Sequence, residues 1–185
     1  MCGARVLTRG LCAGCLTNTR KFISRTICPF QYEYPINRLI QNFKFHDDLD
    51  LSGFFSDQII EKQALSDYSL PEIILPVPLH MQRIRQRGFN QSLELAKMLA
   101  KKLGLELLEN TIVRNRDTPP QSGLDMRMRR TNLRGAFKLI RIPPVKKHVA
   151  IVDDVLTTGA TSNEVARVLK SAGFERIDLW VCART

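Results

Sequence analysis

The stretch from His148 to Gly173 constrains the fold more than any other. Val149, Ala150, Ile151 and Val152 make a short apolar run suited to a buried strand. Asp153 and Asp154 follow, and a loop of Thr157, Thr158, Gly159, Ala160 and Thr161 leads at once into a helix striped by Val165, Val168, Leu169 and Ala172. Gly173 ends that helix, and Ile177 to Cys182 reads as a final strand. Small residues after a strand let the backbone turn tightly. The N–H groups at the start of the next helix then converge on one spot and make a phosphate cradle, to which the Thr157, Thr158 and Thr161 hydroxyls add donors. The carboxylates of Asp153 and Asp154 suit the hydroxyls of a sugar or the water shell of a magnesium ion. Together they describe a site for a ribose phosphate. Neither G-x-x-x-x-G-K nor G-x-G-x-x-G occurs in the chain, which disfavours a nucleoside triphosphatase and a dinucleotide-binding dehydrogenase.

The same grammar runs upstream. Pro35 to Phe45 and Asp50 to Lys62 carry apolar residues at helical spacing, and Ile73, Ile74 and Leu75 form a strand suited to burial on both faces. Pro76 and Pro78 end that strand in a loop. Asn90 caps a helix striped by Leu95, Ala96, Leu99 and Leu103, with Gly104 at its end. Thr111 to Arg114 and Ala136 to Ile140 are further strand candidates. They are separated by about twenty residues rich in Arg, Pro and Gly, a length that reads as a mobile flap. Strands alternating with helices predict an α/β fold with a parallel sheet flanked by helices and ligands at the carboxyl ends of its strands. Met1 to Phe30 reads as a small irregular appendage, with the globular domain over residues 35 to 185. There is no internal repeat and no low-complexity tract.

Charge narrows the partner. With 44% hydrophobic and 25% charged residues the chain has an ordinary globular composition, but 28 Lys and Arg against 18 Asp and Glu leave it at +10. Residues 1–79 hold 8 basic and 8 acidic residues, 80–147 hold 16 and 5, and 148–185 hold 4 and 5, so the excess lies wholly in the middle. That segment contains Arg83, Arg85, Arg87, Arg114, Arg116, Arg127, Arg129, Arg130, Arg134 and Arg141. The planar guanidinium matches phosphate oxygens two at a time, which points to a polyanionic partner. No apolar run reaches the length of a membrane span or a secretory signal, so the expected location is the cytoplasm, without membrane insertion. Five cysteines in such a chain point to reduced thiols or metal ligands.

The ungapped segment from Val149 to Thr161 resembles the phosphoribosyl pyrophosphate (PRPP) signature of type I phosphoribosyltransferases. The rest resembles the ComF/GntX family of competence-associated phosphoribosyltransferase-like proteins. That likeness rests on Pro76-Val77-Pro78-Leu79, on Arg85-Gln86-Arg87-Gly88-Phe89-Asn90-Gln91-Ser92, and on Gln121 to Phe137 with Arg129, Asn132 and Leu133. It covers about residues 35 to 185. It implies a type I phosphoribosyltransferase-like sheet with a flexible loop over the ligand. Thr157, Thr158, Gly159, Ala160 and Thr161 would hold the 5-phosphate, and Asp153 and Asp154 would meet the ribose. Val77, Pro78, Leu79 and His80 would approach the pyrophosphate, helped by Arg83, Arg85 or Arg87, while Arg127, Arg129 and Arg130 would close over it and exclude water. Magnesium would accompany PRPP. His80 reads equally as a general acid or base or as a plain loop residue, and His46 and His148 have no partner at ligand spacing.

Cys12-x-x-Cys15 has the spacing of a zinc knuckle, and Cys2 adds a third thiolate where a closed structural zinc site needs four ligands. ComF-like proteins often carry two Cys pairs here. Cys2-Gly3 then looks like the end of a first pair whose partner would precede Met1, unless the site is degenerate or Cys28 supplies a ligand from elsewhere. Cys182 reads as a core residue.

Two functional readings follow. In the first, the chain binds PRPP with magnesium and transfers the phosphoribosyl group to an unidentified acceptor in the context of competence and DNA uptake. In the second, it is a non-catalytic component of DNA uptake that binds single-stranded DNA through the Arg-rich middle, alongside other competence proteins. Single-strand grooves interleave cations with stacking aromatics, yet Phe89 and Phe137 are the only aromatics between residues 80 and 147, which favours PRPP.

Overall fold

A computed structural model of the chain describes residues 22–45, 49–115, 133–141 and 147–185. The elements are β1 Arg25–Ile27, β2 Phe30–Gln31, α1 Ile36–Phe45, α2 Leu49–Ala64, β3 Ile73–Pro76, α3 Met81–Arg87, α4 Gln91–Leu103, β4 Glu106–Leu107, β5 Ile112–Arg114, β6 Phe137–Leu139, β7 His148–Leu156, α5 Ala160–Ser171 and β8 Arg176–Arg184. Six strands form one sheet in the order β1-β8-β7-β3-β4, with β2 also on β8, and every pair in it is parallel.

Side-chain alternation along the strands explains why the sheet is covered on both faces. Ile73, Leu75, Val149, Ile151, Ile177, Leu179 and Val181 pack with Val165, Ala166 and Leu169 of α5. Ile74, Ala150, Val152, Trp180 and Cys182 pack on the other face with Ile40 and Phe43 of α1, Phe55 and Ile59 of α2, and Leu95 and Leu99 of α4. Each fully buried Leu, Ile or Val stabilises the fold by about 1.5–3 kcal/mol relative to leaving it exposed. The expected parallel sheet flanked by helices is therefore present. Among the described residues no helix is long and apolar enough to cross a membrane.

Three local readings need correction. The sheet begins at Arg25, inside the stretch assigned to the appendage, because β1 and β2 each pair with β8. Two strands of three and two residues are too short to show a period of their own. The loop after β3 contains a helix, α3, capped at its start by His80, whose Nδ1 accepts from the Gln82 N–H, and closed by Gly88 at φ +85°. The strands β5 and β6 pair antiparallel in a separate ribbon, and Ile112 and Phe137 pack from it toward α5. Arg127, Arg129 and Arg130 of the expected flap, and Cys2, Cys12 and Cys15 of the expected zinc site, lie outside the described residues.

A buried charged cluster holds the amino ends of the central strands. Arg25 Nε donates to Asp178 Oδ2 at 2.6 Å, and His148 Nε2 stands 2.8 Å from the same oxygen. Arg25 also donates to Gln63 Oε1 and to the Ser69 carbonyl, and its guanidinium lies 4.5 Å over the Tyr68 ring. Asp178 is fully buried, yet the His148 ring and the Arg25 guanidinium outweigh that burial and hold its carboxyl below the usual range. His148 thus has an acidic partner, thirty residues away in sequence and one strand away in space.

Candidate functional site

Asp153 and Asp154 stand near the carboxyl end of β7, beside the carboxyl end of β3. Successive strand residues face opposite ways, so the two carboxylates acquire different surroundings. Asp153 Oδ1 accepts from the Ser92 hydroxyl at 3.1 Å and from the Asp154 N–H at 2.9 Å. Burial, reinforced by the neighbouring Asp154 charge, raises its pKa to about 7. Asp154 Oδ2 accepts from Gln91 Nε2 at 3.0 Å and pairs with Lys44 Nζ at 3.0 Å, while its Oδ1 accepts from the Val155 N–H at 2.6 Å.

The turn from β7 into α5 is built for a close approach. Gly159 is the N-cap at φ +71°, and a Cβ there would sit 3.2 Å from Asn163 Nδ2 and 3.3 Å from Leu156 Cδ1. Glycine brings no capping side chain to the start of α5, and Thr158 Oγ1 accepts from Ala160 N at 3.4 Å. Asn163 Nδ2 donates to the Gly159 carbonyl and fixes the turn from the far side.

The first turn of α4 ties these parts together. Asn90 caps it, accepting from the Ser92 N–H, and donates through Nδ2 to the Val77 carbonyl beyond β3. Gln91 holds Asp154 through Nε2 and accepts from Arg87 through Oε1 at 3.3 Å. Ser92 holds Asp153. Three consecutive residues thus fix both aspartates, one arginine and the end of a neighbouring strand.

A cleft of about 410 Å³ opens over this array. Asp153, Asp154, Val155, Thr157 and Thr161 line its floor; Val77, Leu79, Arg83, Arg87 and Gln91 come from the β3 side; Arg114 comes from β5, and Tyr32 and Lys44 from the amino-terminal part of the chain. The helical spacing of α3 decides which arginines arrive. Arg83 and Arg87, four apart, share the half-buried face, whereas Arg85 between them is exposed and does not line the cleft. Burial lowers the pKa of the Arg87 guanidinium, and the Asp154 charge opposes that shift. Of the other expected residues, Pro78 and His80 do not line the cleft, and His80 serves α3 as its cap. Thr158, Gly159 and Ala160 form the turn beneath the cleft. Cys28 Sγ donates to the Phe30 carbonyl, and burial pushes its pKa up to about 11, away from the thiolate a zinc ion requires.

The phosphoribosyl transferase domain family matches residues 90–184, slightly more than half of the chain. Over 181 residues the chain is 35% identical to competence protein F of Haemophilus influenzae, covering 94% of this chain and 78% of that protein. The chain belongs to the ComF family of phosphoribosyltransferase-like proteins. Within that family it is also 33% identical over 178 residues to the DNA utilization protein YhgH of Escherichia coli O157:H7, covering 94% of this chain and 78% of that one. It is 26% identical over 155 residues to competence protein ComFC of Streptococcus pneumoniae, covering 84% and 66%. In this ComF chain the aspartates, Thr157, Thr161, Gln91 and Arg114 all fall inside the matched residues, whereas Tyr32, Lys44, Leu79, Arg83 and Arg87 come from outside them.

The sequence assigns no role to Gln91, Ser92, Lys44 or Tyr32, and Arg114, one of the arginines of the basic middle segment, is not singled out there for the cleft it lines. Gln91 and Ser92 sit in the run after Arg85 that carried the family resemblance, and an Asn cap followed by two small or amide side chains was the available signal. Lys44 had none, since a lysine in a helix's last turn reads as a partner of the helix dipole.

Proposed function

We propose that this chain binds PRPP with magnesium in the cleft and transfers its phosphoribosyl group to an acceptor nitrogen. The observation that carries this reading is the pairing, on one strand-to-helix junction, of two held aspartates with an open helix start, facing Arg83 and Arg87 across about 410 Å³.

Thr157, Thr161 and the first-turn N–H groups of α5 bind the 5-phosphate, and the helix dipole adds its positive end. Asp154 and Asp153 accept from the ribose hydroxyls, with Asp153 bearing its carboxylate above about pH 7. The Arg83 and Arg87 guanidiniums orient the diphosphate and hold the charge it gains. The C1–O bond breaks with its electron pair leaving on the diphosphate, a bond from the acceptor nitrogen to C1 forms, and the acceptor's proton passes to water. Preorganised cations at a developing anion are worth far more in such a cleft than in bulk water. No group of three His, Cys, Asp or Glu stands together among the described residues, so the donors that fit magnesium are the Asp153 and Asp154 oxygens, through its waters, beside the ligand's own phosphates. Bound there, magnesium would neutralise the diphosphate as a Lewis acid.

The relatives' names, competence protein and DNA utilization protein, support a setting in DNA uptake and use. Single-stranded DNA would be a second partner in that setting, through the Arg-rich middle. Its affinity would fall steeply with salt, and absence of binding at low salt would remove it. Arg83, Arg87 and Arg114 of that middle segment line the cleft, which favours the small ligand.

Calorimetric titration with PRPP and magnesium tests the main reading. Heat of binding is expected from the native chain and its loss from Asp154→Ala. Undiminished binding by that variant overturns the site, and silence of the native chain overturns the function.

A further inference from the structure

Tyr32 and Lys44 line the cleft from outside both the matched residues and the segment that carries Arg83 and Arg87. Tyr32 follows β2, and its N–H donates to the Arg184 carbonyl at the carboxyl end of β8, 2.7 Å away. Lys44 stands in the last turn of α1, a helix seated by Phe43 against Phe55, and its Nζ lies 3.0 Å from Asp154 Oδ2. The sheet order sets β7 between β8 and β3. Tyr32 therefore lies on the β8 flank of the aspartates, while Val77, Leu79, Arg83 and Arg87 lie on the β3 flank. Asp154 Oδ2 is the meeting point, reached by Gln91 with Arg87 behind it and by Lys44 from α1.

A displacement at C1 forms its new bond on the face opposite the leaving group. With the diphosphate drawn to Arg83 and Arg87, the incoming nitrogen approaches from the other flank. Among the residues lining the cleft from outside the β3 side are Tyr32, on the β8 flank, and Lys44, whose ammonium sits on Asp154 Oδ2. A ring accepts a planar group against its face. An ammonium is a compact point charge with three donors, and one donor suffices for Asp154. A half-buried cation lining the same cleft as Tyr32 favours a ligand atom that carries negative charge.

We infer that Tyr32 and Lys44 form the acceptor subsite, and that the acceptor is a planar nitrogen compound bearing a carboxylate or a similar anionic group. This rests on the phosphoribosyl-transfer reading above. In the transfer the nitrogen lone pair makes the bond to C1 and the diphosphate leaves with the C1–O electron pair; an amine acceptor gives up an N–H proton to water, a ring nitrogen without N–H has none to lose, and the acceptor's anionic group stays on Lys44 without changing bonds. Lys44 selects the acceptor and takes no part in the bond change.

The test uses the full chain with PRPP and magnesium and two probe pairs, nicotinate with nicotinamide and anthranilate with aniline, read by calorimetric binding and by diphosphate release. The carboxylated member of each pair is expected to bind about tenfold tighter or more, the worth of one hydrogen bond to a charged group. Lys44→Met should erase that preference and Lys44→Arg should keep it, each preference being read as the ratio of the two members on one variant at saturating PRPP, so that any loss of PRPP affinity from breaking the Lys44–Asp154 pair cancels. Equal binding of the two members, binding of neither, or a preference that survives Lys44→Met overturns the acceptor assignment while leaving PRPP binding intact. Failure of the native chain to bind PRPP overturns the phosphoribosyl reading itself and this assignment with it.

Discussion

Gln91 Nε2 donates to Asp154 Oδ2 at 3.0 Å while Gln91 Oε1 accepts from Arg87 at 3.3 Å, so one buried amide joins the residue proposed for the ribose to one proposed for the diphosphate. The arrangement is directional, because the amide offers its N–H to the carboxylate and its carbonyl oxygen to the guanidinium. Gln91→Glu sets a second carboxylate against Asp154 and should weaken PRPP binding about tenfold or more; Gln91→Met, which loses both bonds without adding charge, should weaken it less. Calorimetry on the folded variants checks both, and affinities equal to the native chain's would show that the amide does not organise the site.

The turn before α5 depends on the absence of a side chain at Gly159. An alanine there must adopt φ +71° and press on Asn163 and Leu156. The left-handed conformation alone costs about 1–2 kcal/mol, so Gly159→Ala should lower the urea midpoint and weaken PRPP binding together. A variant with unchanged midpoint and affinity would mean that the turn relaxes freely.

Asp153 gives the fold a definite pH response. Its carboxyl releases a proton near pH 4 in the unfolded chain and at about 7 in the folded one. Between those values the folded chain holds the extra proton, so this group's contribution to stability falls as pH rises. Asp153→Asn removes the ionisation and leaves an oxygen for Ser92 and Asp154 N–H. Its advantage over the native chain in thermal unfolding should be larger at pH 8 than at pH 4.5, and an equal difference at both values would contradict the shifted titration.

At the other end of the strands, Asp178 should matter for stability and not for the ligand. Asp178→Ala leaves Arg25 buried without its anionic partner, a loss of about 3–5 kcal/mol by analogy with other broken buried pairs. Because its folded pKa is lowered, the native carboxylate's contribution is present above the unfolded value near 4 and disappears as pH falls through the folded one. Chemical denaturation at pH 7 and pH 3 measures this. A loss of PRPP binding in the folded variant, larger than any loss of stability explains, would show that the cluster reaches the cleft.

What the sequence made legible follows from period and motif. The run Val149 to Val152 is apolar on both faces because α5 and α4 cover the two sides, and that continuity announced a buried parallel strand. The aspartates and the Thr157–Thr161 turn were readable because their chemistry is local to one junction. Lys44, Tyr32 and Gln91 were not, since each acts across elements far apart in the chain, and His148 hid its partner for the same reason. Arg85 was expected at the ligand because a loop imposes no face; the helix α3 does, and turns it outward.

The most direct test of the account is the structure of the chain crystallised with PRPP and magnesium. The account predicts the 5-phosphate at Thr157 to Thr161, the ribose hydroxyls on Asp153 and Asp154, and the diphosphate toward Arg83 and Arg87. A ligand lying elsewhere, or a cleft without ligand at saturating PRPP, would contradict it.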